Sequence, residues 1–342
     1  MKISWTITGG VAVIVFCHAG CRKESAATAR LESVTLYTSV DEPFARMVVE
    51  QFEKRSGLKV ALITDSEAGK TTGLVQRIIA EAQTGRVRAD VFWSSEIFNT
   101  MVLARQGFWV AYDSPSAADI PVEFRDPQRQ WTGAAVRARV VAFDPRRVRR
   151  ADVPTIWEEL GSVKFAKDVA LANPLFGTTR GHLAAMQALW GETRTRAFLV
   201  GLRAGGAQVV DGNSAAVRAV IDGGALFAAT DSDDVFMAQK SGAILGMIFP
   251  DMGDGGTLLI PCTVALVAGA PHAEGGKKLV DFLVSAEVEE MLARSSSGNI
   301  PVRAALREKL NLVWPAASQV RFEAAADAME QAVEAARDVL LR

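Results

Sequence analysis

Ser33-Val34-Thr35-Leu36-Tyr37-Thr38, followed by Asp41-Glu42-Pro43 and by Phe44, Met47, Val48 and Phe52 up to Gly57, is the stretch that decides the fold. Its first part alternates with period two and is rich in β-branched residues, so it reads as a strand. The second part switches to a 3.6-residue period: acidic and proline residues open a helix, one apolar face continues it, and Gly57 closes it. Residues 58–63 form the next strand, 74–83 a helix, and Ala89-Asp90-Val91-Phe92-Trp93 a third strand-like run. Strand and helix in alternation predict an α/β domain with a largely parallel sheet.

The pattern continues outward. Further strands are expected at 134–143, 168–172, 207–210, 225–229, 243–249 and 257–267, and from Glu274 onward the chain becomes mainly helical. The last helix, 319–341, carries Phe322, Ala326, Met329, Val333, Ala336 and Leu340 at helical spacing, a stripe that reads as core packing. At 131–145 and 245–261 long β-type runs are joined by Gly- and Pro-containing stretches and not by a clear helix. If both are crossovers, the fold is a discontinuous two-lobe α/β plan with a ligand cleft between the lobes, beyond the carboxyl ends of the strands.

Composition narrows the function. With Lys+Arg 38 against Asp+Glu 39, the formal charge of −1 gives no global field for nucleic acid or an anionic membrane. Three cysteines, at 17, 21 and 262, make neither a disulfide framework nor a zinc cluster. Residues 1–20 read as a signal peptide: Lys2, then a mostly apolar run of roughly 14 residues, short of the about 20 needed to span a membrane. Ala19-Gly20-Cys21 resembles a bacterial lipobox with His18 where leucine is usual, so Cys21 is the expected lipidation site and 21–31 a tether. Ordinary secretion and a transmembrane anchor are the alternatives, and Gly9 and Gly10 argue against the anchor.

Enzymatic signatures are weak. Ala68-Gly69-Lys70-Thr71 ends like a phosphate-binding loop, but the required first glycine is Thr64. Only His182 and His272 remain after the leader, neither near a nucleophile elbow; His272 reads as a surface residue and His182 as a solvated or cleft-facing one. Cys262 in an apolar strand reads as a small core residue.

Polar clusters stand at strand ends instead: Tyr37-Thr38-Ser39-Val40-Asp41, Trp93-Ser94-Ser95-Glu96, Gly177-Thr178-Thr179, Gly212-Asn213-Ser214 and Thr230-Asp231-Ser232-Asp233-Asp234. Each alone reads as a helix cap. Five of them at carboxyl ends of strands point to one binding cleft.

Those clusters carry a resemblance. Leu36-Tyr37-Thr38-Ser39, residues 89–96, Trp131-Thr132-Gly133 with Arg137-Ala138-Arg139-Val140, residues 211–220, residues 230–234, Gly256-Thr257-Leu258-Leu259-Ile260-Pro261 and Ser297-Gly298-Asn299-Ile300-Pro301 resemble, in order, a bacterial extracellular solute-binding protein of the ferric-iron-binding, type II periplasmic class. This resemblance implies two α/β lobes joined by two hinge crossovers, with a C-terminal helical region: lobe 1 from 32–136 and 256–342, lobe 2 from 137–255. It implies the receptor of an ABC importer, periplasmic or on the cell surface, partnered by a permease, held to the membrane by its lipid, monomeric and not an enzyme. No cofactor is obligatory, although a bound iron with a synergistic anion is implied by the family.

In that family an adjacent tyrosine pair in the second lobe holds ferric iron. Here Asp233 and Asp234 stand at the matching positions, and both tyrosines, Tyr37 and Tyr112, lie in the first lobe. The implied ligand set is Tyr37, Ser39, Asp41, Ser95, Glu96, Arg137, Gly177, Thr178, Thr179, Asn213, Asp231, Asp233 and Asp234, with Asp41, Glu96, Asp233 and Asp234 as metal carboxylates. Carboxylate oxygens suit a hard cation and equally an ammonium group. Gly177-Thr178-Thr179 with Asn213 suits an anion at a helix N-terminus, and Arg137 is either a fork for that anion or a structural salt bridge. The candidate cargoes are therefore iron with an anion, or an organic cation or zwitterion such as an aminoalkylphosphonate, a polyamine or a thiamine-like compound. A surface-anchored enzyme is the reading from another class.

Overall fold

A computed structural model describes residues 33–64 and 72–342, together with Met1. Residues 2–32, on which the expected leader, Cys21 and tether fall, and residues 65–71, with Gly69-Lys70, lie outside the described residues. The first lobe begins with β1 (Ser33–Thr38), α1 (Glu42–Ser56), β2 (Lys59–Thr64), α2 (Thr72–Gln83), β3 (Val91–Ser94), α3 (Phe98–Arg105) and β4 (Trp109–Val110). The α1 boundaries follow the local chemistry: Pro43 sits in the first turn, Phe44, Val48 and Phe52 are buried, and Gly57 at φ 72° lets its N–H return to the Glu53 carbonyl.

The chain then crosses on β5 (Thr132–Phe143), every residue of which is buried. The second lobe is built from β6 (Val169–Ala172), α4 (Gly177–Gly205), β7 (Gln208–Val210), α5 (Asn213–Ile221), β8 (Phe227–Asp231), α6 (Ser232–Lys240) and β9 (Gly246–Ile248). It returns on β10 (Leu259–Val267) and ends in α7 (Ala273–Leu283), α8 (Ala286–Arg294), α9 (Ala304–Leu310) and α10 (Phe322–Val339).

The sheet order is β2-β1-β3-β10-β5-β8-β6-β7, with β4 on β10 and β9 on β5. β1 pairs in parallel with β2 and β3, and β6 with β7 and β8. The two crossing strands are antiparallel to each other and to their neighbours, so the largely parallel sheet expected is a mixed one, with its parallel pairs in the two wings. β5 changes partners at its middle: 132–138 pair with β10, 139–143 with β8 and β9. A strand shared in this way has a sheet on each side along its length, which is why it is buried throughout and why the lobes meet there.

Two helices depart from simple expectation. α4 is two helical stretches joined at Gly191, whose φ 78° and ψ 171° no helix contains, so its N-terminal part and its remainder run in different directions. α10 turns the small stripe Ala325, Ala326, Ala332, Ala335 and Ala336 inward. Such a stripe permits close helix approach, and α10 packs on α4 of the second lobe more extensively than any other pair of elements packs, while also touching α3 of the first. The terminal helix therefore touches helices on both sides of the crossing strands. Among the described residues no helix is long and apolar enough to cross a membrane.

Candidate functional site

Three helix N-termini of the second lobe, those of α4, α5 and α6, converge on one cleft that opens to solvent. Gly177, Thr178, Thr179, Asn213, Asp231, Asp233 and Asp234 line it, together with Arg137 from β5. Asp41 and Ser95 face them from the first lobe. Nine of the ten positions come from segments singled out as strand-end clusters; Arg137 comes from the crossing strand.

Beneath the surface of the cleft lies a fixed polar network. Arg139 and Asp231 are both fully buried, with Arg139 Nη1 2.8 Å from Asp231 Oδ1. Thr178 Oγ1 donates to Asp231 Oδ2 and accepts from Asn213 Nδ2 at 2.9 Å. Asn213 Nδ2 also donates to Asp231 Oδ2 at 2.8 Å, and its Oδ1 accepts from Thr179 Oγ1 at 3.3 Å. These side chains are engaged with one another, so what they present to a ligand is chiefly the backbone at the start of α4 and α5. Buried ions need such a shell, because an uncompensated charge in a low dielectric is costly.

The outer layer, Asp233 and Asp234, is acidic and lies close to the buried Asp231. One carboxylate oxygen from each of Asp231, Asp233 and Asp234 can be chosen so that all lie within 4.8 Å of one another. Asp233 also meets Arg137, Nη1 to Oδ2 at 2.8 Å, with both side chains about nine-tenths buried or more. Asp234 accepts a hydrogen bond from Thr230 Oγ1 at 3.3 Å. Arg137 thus makes the salt bridge that the sequence left as one of two options.

Several expected ligands lie elsewhere. Tyr37 is fully buried and its hydroxyl donates to Glu81 Oε1 at 2.6 Å; burial, and then that hydrogen bond, push its pKa up to about 12. The period-two alternation of β1 turns it toward α2 and away from the cleft. Glu96 is 1 % exposed and accepts the N–H groups of Phe98 and Asn99, capping α3. Burial pushes its carboxyl up, opposed by those hydrogen bonds and by the charge of Arg180. Of the four carboxylates expected to hold a metal, Asp41, Asp233 and Asp234 line the cleft and Glu96 does not. Ser39 accepts the Ser95 N–H at 2.9 Å and shapes the turn without lining the cleft.

The histidines divide. His272 is half-exposed beside Asp90, as a surface residue should be. His182 is neither solvated nor in the cleft: it is buried behind it, accepts from Arg139 Nε at 3.3 Å through Nδ1, and stands edge-on to Trp157. Burial, then the Arg139 charge, hold it neutral with a pKa well below the ordinary value. Cys262 is the buried core residue expected. Sequence reasoning missed Arg139 as the organiser of the network. Its signal was present in Arg137 and Arg139, two arginines two residues apart, hence on one strand face, in an otherwise apolar run.

Residues 89–322, more than half of the chain, match the family model of the bacterial extracellular solute-binding proteins. Iron uptake protein A1 of Synechocystis sp. is 27% identical over 279 residues, covering 78% of this chain and 74% of that protein. A Salmonella typhi periplasmic protein named for 2-aminoethylphosphonate binding is 24% identical over 268 residues, covering 77% and 75%. Among solved structures, the ferric binding protein from Campylobacter jejuni superposes with a TM-score of 0.80 at 19% identity, covering 90% of this chain and 99% of that one. The shared two-lobe fold, the match across both crossing strands and the cleft between the wings place this chain in the bacterial extracellular solute-binding protein family.

Proposed function

We propose that the chain is the extracytoplasmic receptor of an ABC importer and that its cargo is a hard metal cation, iron in the first place, accompanied by a small anion. The observation that carries this reading is the cluster of Asp231, Asp233 and Asp234, with carboxylate oxygens within 4.8 Å, facing Asp41 across the cleft. Oxygen donors suit a hard cation without phenolates. Five aspartates line the cleft, including Asp211, and two guanidiniums oppose them. The formal excess is three negative charges, which suits a trivalent ion. The N-termini of α4 and α5 supply N–H groups for the anion. Binding across both walls favours the closed lobes, the form a permease would recognise.

Calorimetric titration tests the assignment. Ferric iron supplied with phosphate or citrate should bind and raise the melting temperature, by a free energy of about 2.7 kcal/mol at a hundredfold excess over Kd. A second reading, a zwitterion such as 2-aminoethylphosphonate, is favoured by the placement of Arg137 and the α4 N-terminus beside the acids. Binding of that phosphonate with no response to iron would replace the first reading. Under either, 137–255 moves as one lobe against 32–136 and the segments that follow 256, the chain acts as a monomer, and Cys21 carries the lipid after removal of 1–20. A mass spectrum of the membrane-extracted chain showing an unmodified N-terminus upstream of Cys21 would refute the anchor.

A further inference from the structure

We infer that Gly181 and Phe98 form a keyed contact that positions the two cleft walls, and that this contact populates the closed lobes before cargo arrives. The inference accepts the two-lobe receptor reading but not any particular cargo. Phe98 opens α3, three residues after Ser95 of the first wall; Gly181 lies in α4, two residues after Thr179 of the second. A methyl carbon placed on Gly181 would lie 2.1 Å from two carbons of the Phe98 ring. Real carbon atoms do not approach so closely, so the ring seats on bare helix backbone. The ring has no room to retreat: Phe98 is 1 % exposed and meets Phe322 of α10 edge-on, with centroids 5.9 Å apart.

Neighbouring contacts run in the same direction. Arg180 Nη1 donates to Asn99 Oδ1 at 3.4 Å, and Arg105 of α3 pairs with Asp327 and donates to the Glu323 carbonyl, both on α10. α10 packs on α4 more extensively than on α3. α3 thus lies against both α4 and α10, and the seat for its first residue exists only because position 181 has no side chain. Alanine is the better helix former, so a glycine with no role in close approach would be improved by replacement.

Small-angle scattering from the full chain without added cargo tests this. Gly181→Ala should remain folded, with an unchanged far-ultraviolet spectrum and a cooperative melt, yet show a larger radius of gyration than the wild type. Affinity for ferric citrate or 2-aminoethylphosphonate, whichever binds, should fall about tenfold or more, since the closed state must then be bought against a wedge. Adding Phe98→Ala should return the Gly181→Ala radius to that of Phe98→Ala alone, a non-additivity expected only of residues in contact. Phe98→Trp, which enlarges the knob from the other side, should open the lobes as Gly181→Ala does and serves if that variant misfolds. Equal radii for wild type and both enlarged variants, or an additive double variant, overturn the inference. Failure of every cargo to bind would refute the cargo assignment and leave the scattering result standing.

Discussion

The two walls of the cleft are built on different principles. On the first-lobe side, Ser39, Ser94 and Ser95 share hydroxyl contacts, Glu96 is spent on capping α3, and Asp41 is the charged residue that reaches the cleft. On the second-lobe side four aspartates line the cleft and two arginines brace them from β5. The charged lining therefore lies mostly in one lobe, over a braced foundation, while the other lobe contributes mainly neutral side chains. Substitutions on the two sides should differ in kind: foundation changes cost folding, outer carboxylates cost binding, cover residues cost little of either.

The largest effect belongs to the foundation. Arg139→Met leaves Asp231 buried without its counter-charge, and should lower the unfolding free energy by about 3–5 kcal/mol in urea denaturation. A loss below about 1 kcal/mol would mean that Thr178 and Asn213 alone can hold the carboxylate. Next comes the outer layer: Asp234→Ala should weaken cargo binding about tenfold or more in calorimetry, with melting temperature nearly constant, whereas Asp233→Ala should also lower it by stranding Arg137. Ser95→Ala on the cover should cost only a few-fold, and equal losses on both walls would dissolve the contrast.

A third effect is pH-dependent and sits behind the cleft. The folded-state pKa of His182 is depressed, whereas the unfolded chain binds its proton near the ordinary value of about 6.5. The unfolded state therefore takes up the extra proton as pH falls. Stability from neutral His182 is fully present above about 6.5 and declines below it, by at most about 1.4 kcal/mol per pH unit, until the folded pKa is reached. His182→Phe should flatten that part of the stability profile; an unchanged slope between pH 6.5 and 5 would show that other groups set it. The smallest effect is expected for Tyr37→Phe, about 1 kcal/mol from the lost hydrogen bond to Glu81 and no change in cargo affinity. A loss of affinity there would return Tyr37 to the site.

Much of this arrangement is legible in the sequence because α/β folds put ligand residues at strand ends. Periodicity placed β1, α1 and β3 within a residue or two, and the Ser, Thr, Asp and Asn clusters that follow strands converge as expected on one cleft. What it could not supply was direction. Tyr37 and Asp41 are four residues apart, yet the strand turns one into the core while the turn after it leaves the other in the cleft. Glu96 looks like a ligand in sequence because a carboxylate beside two serines suits a cation; only the path of α3 shows its oxygens committed to backbone N–H groups. Arg139 was hidden for the opposite reason, since a buried arginine gains its meaning from Asp231, ninety-two residues away along the chain. The same holds for α10, whose alanine stripe announces close packing without naming α4 as the partner.

Cys262 gives the hinge a practical property. It is the free cysteine of the described residues, placed on β10 with Sγ 3.6 Å from Arg137 Nη2, and burial pushes its thiol pKa up. A thiol that is both covered and protonated reacts slowly with alkylating reagents. Its alkylation, followed on the peptide that contains it, therefore clocks how often the crossing strands loosen, with no cysteine engineered into the protein.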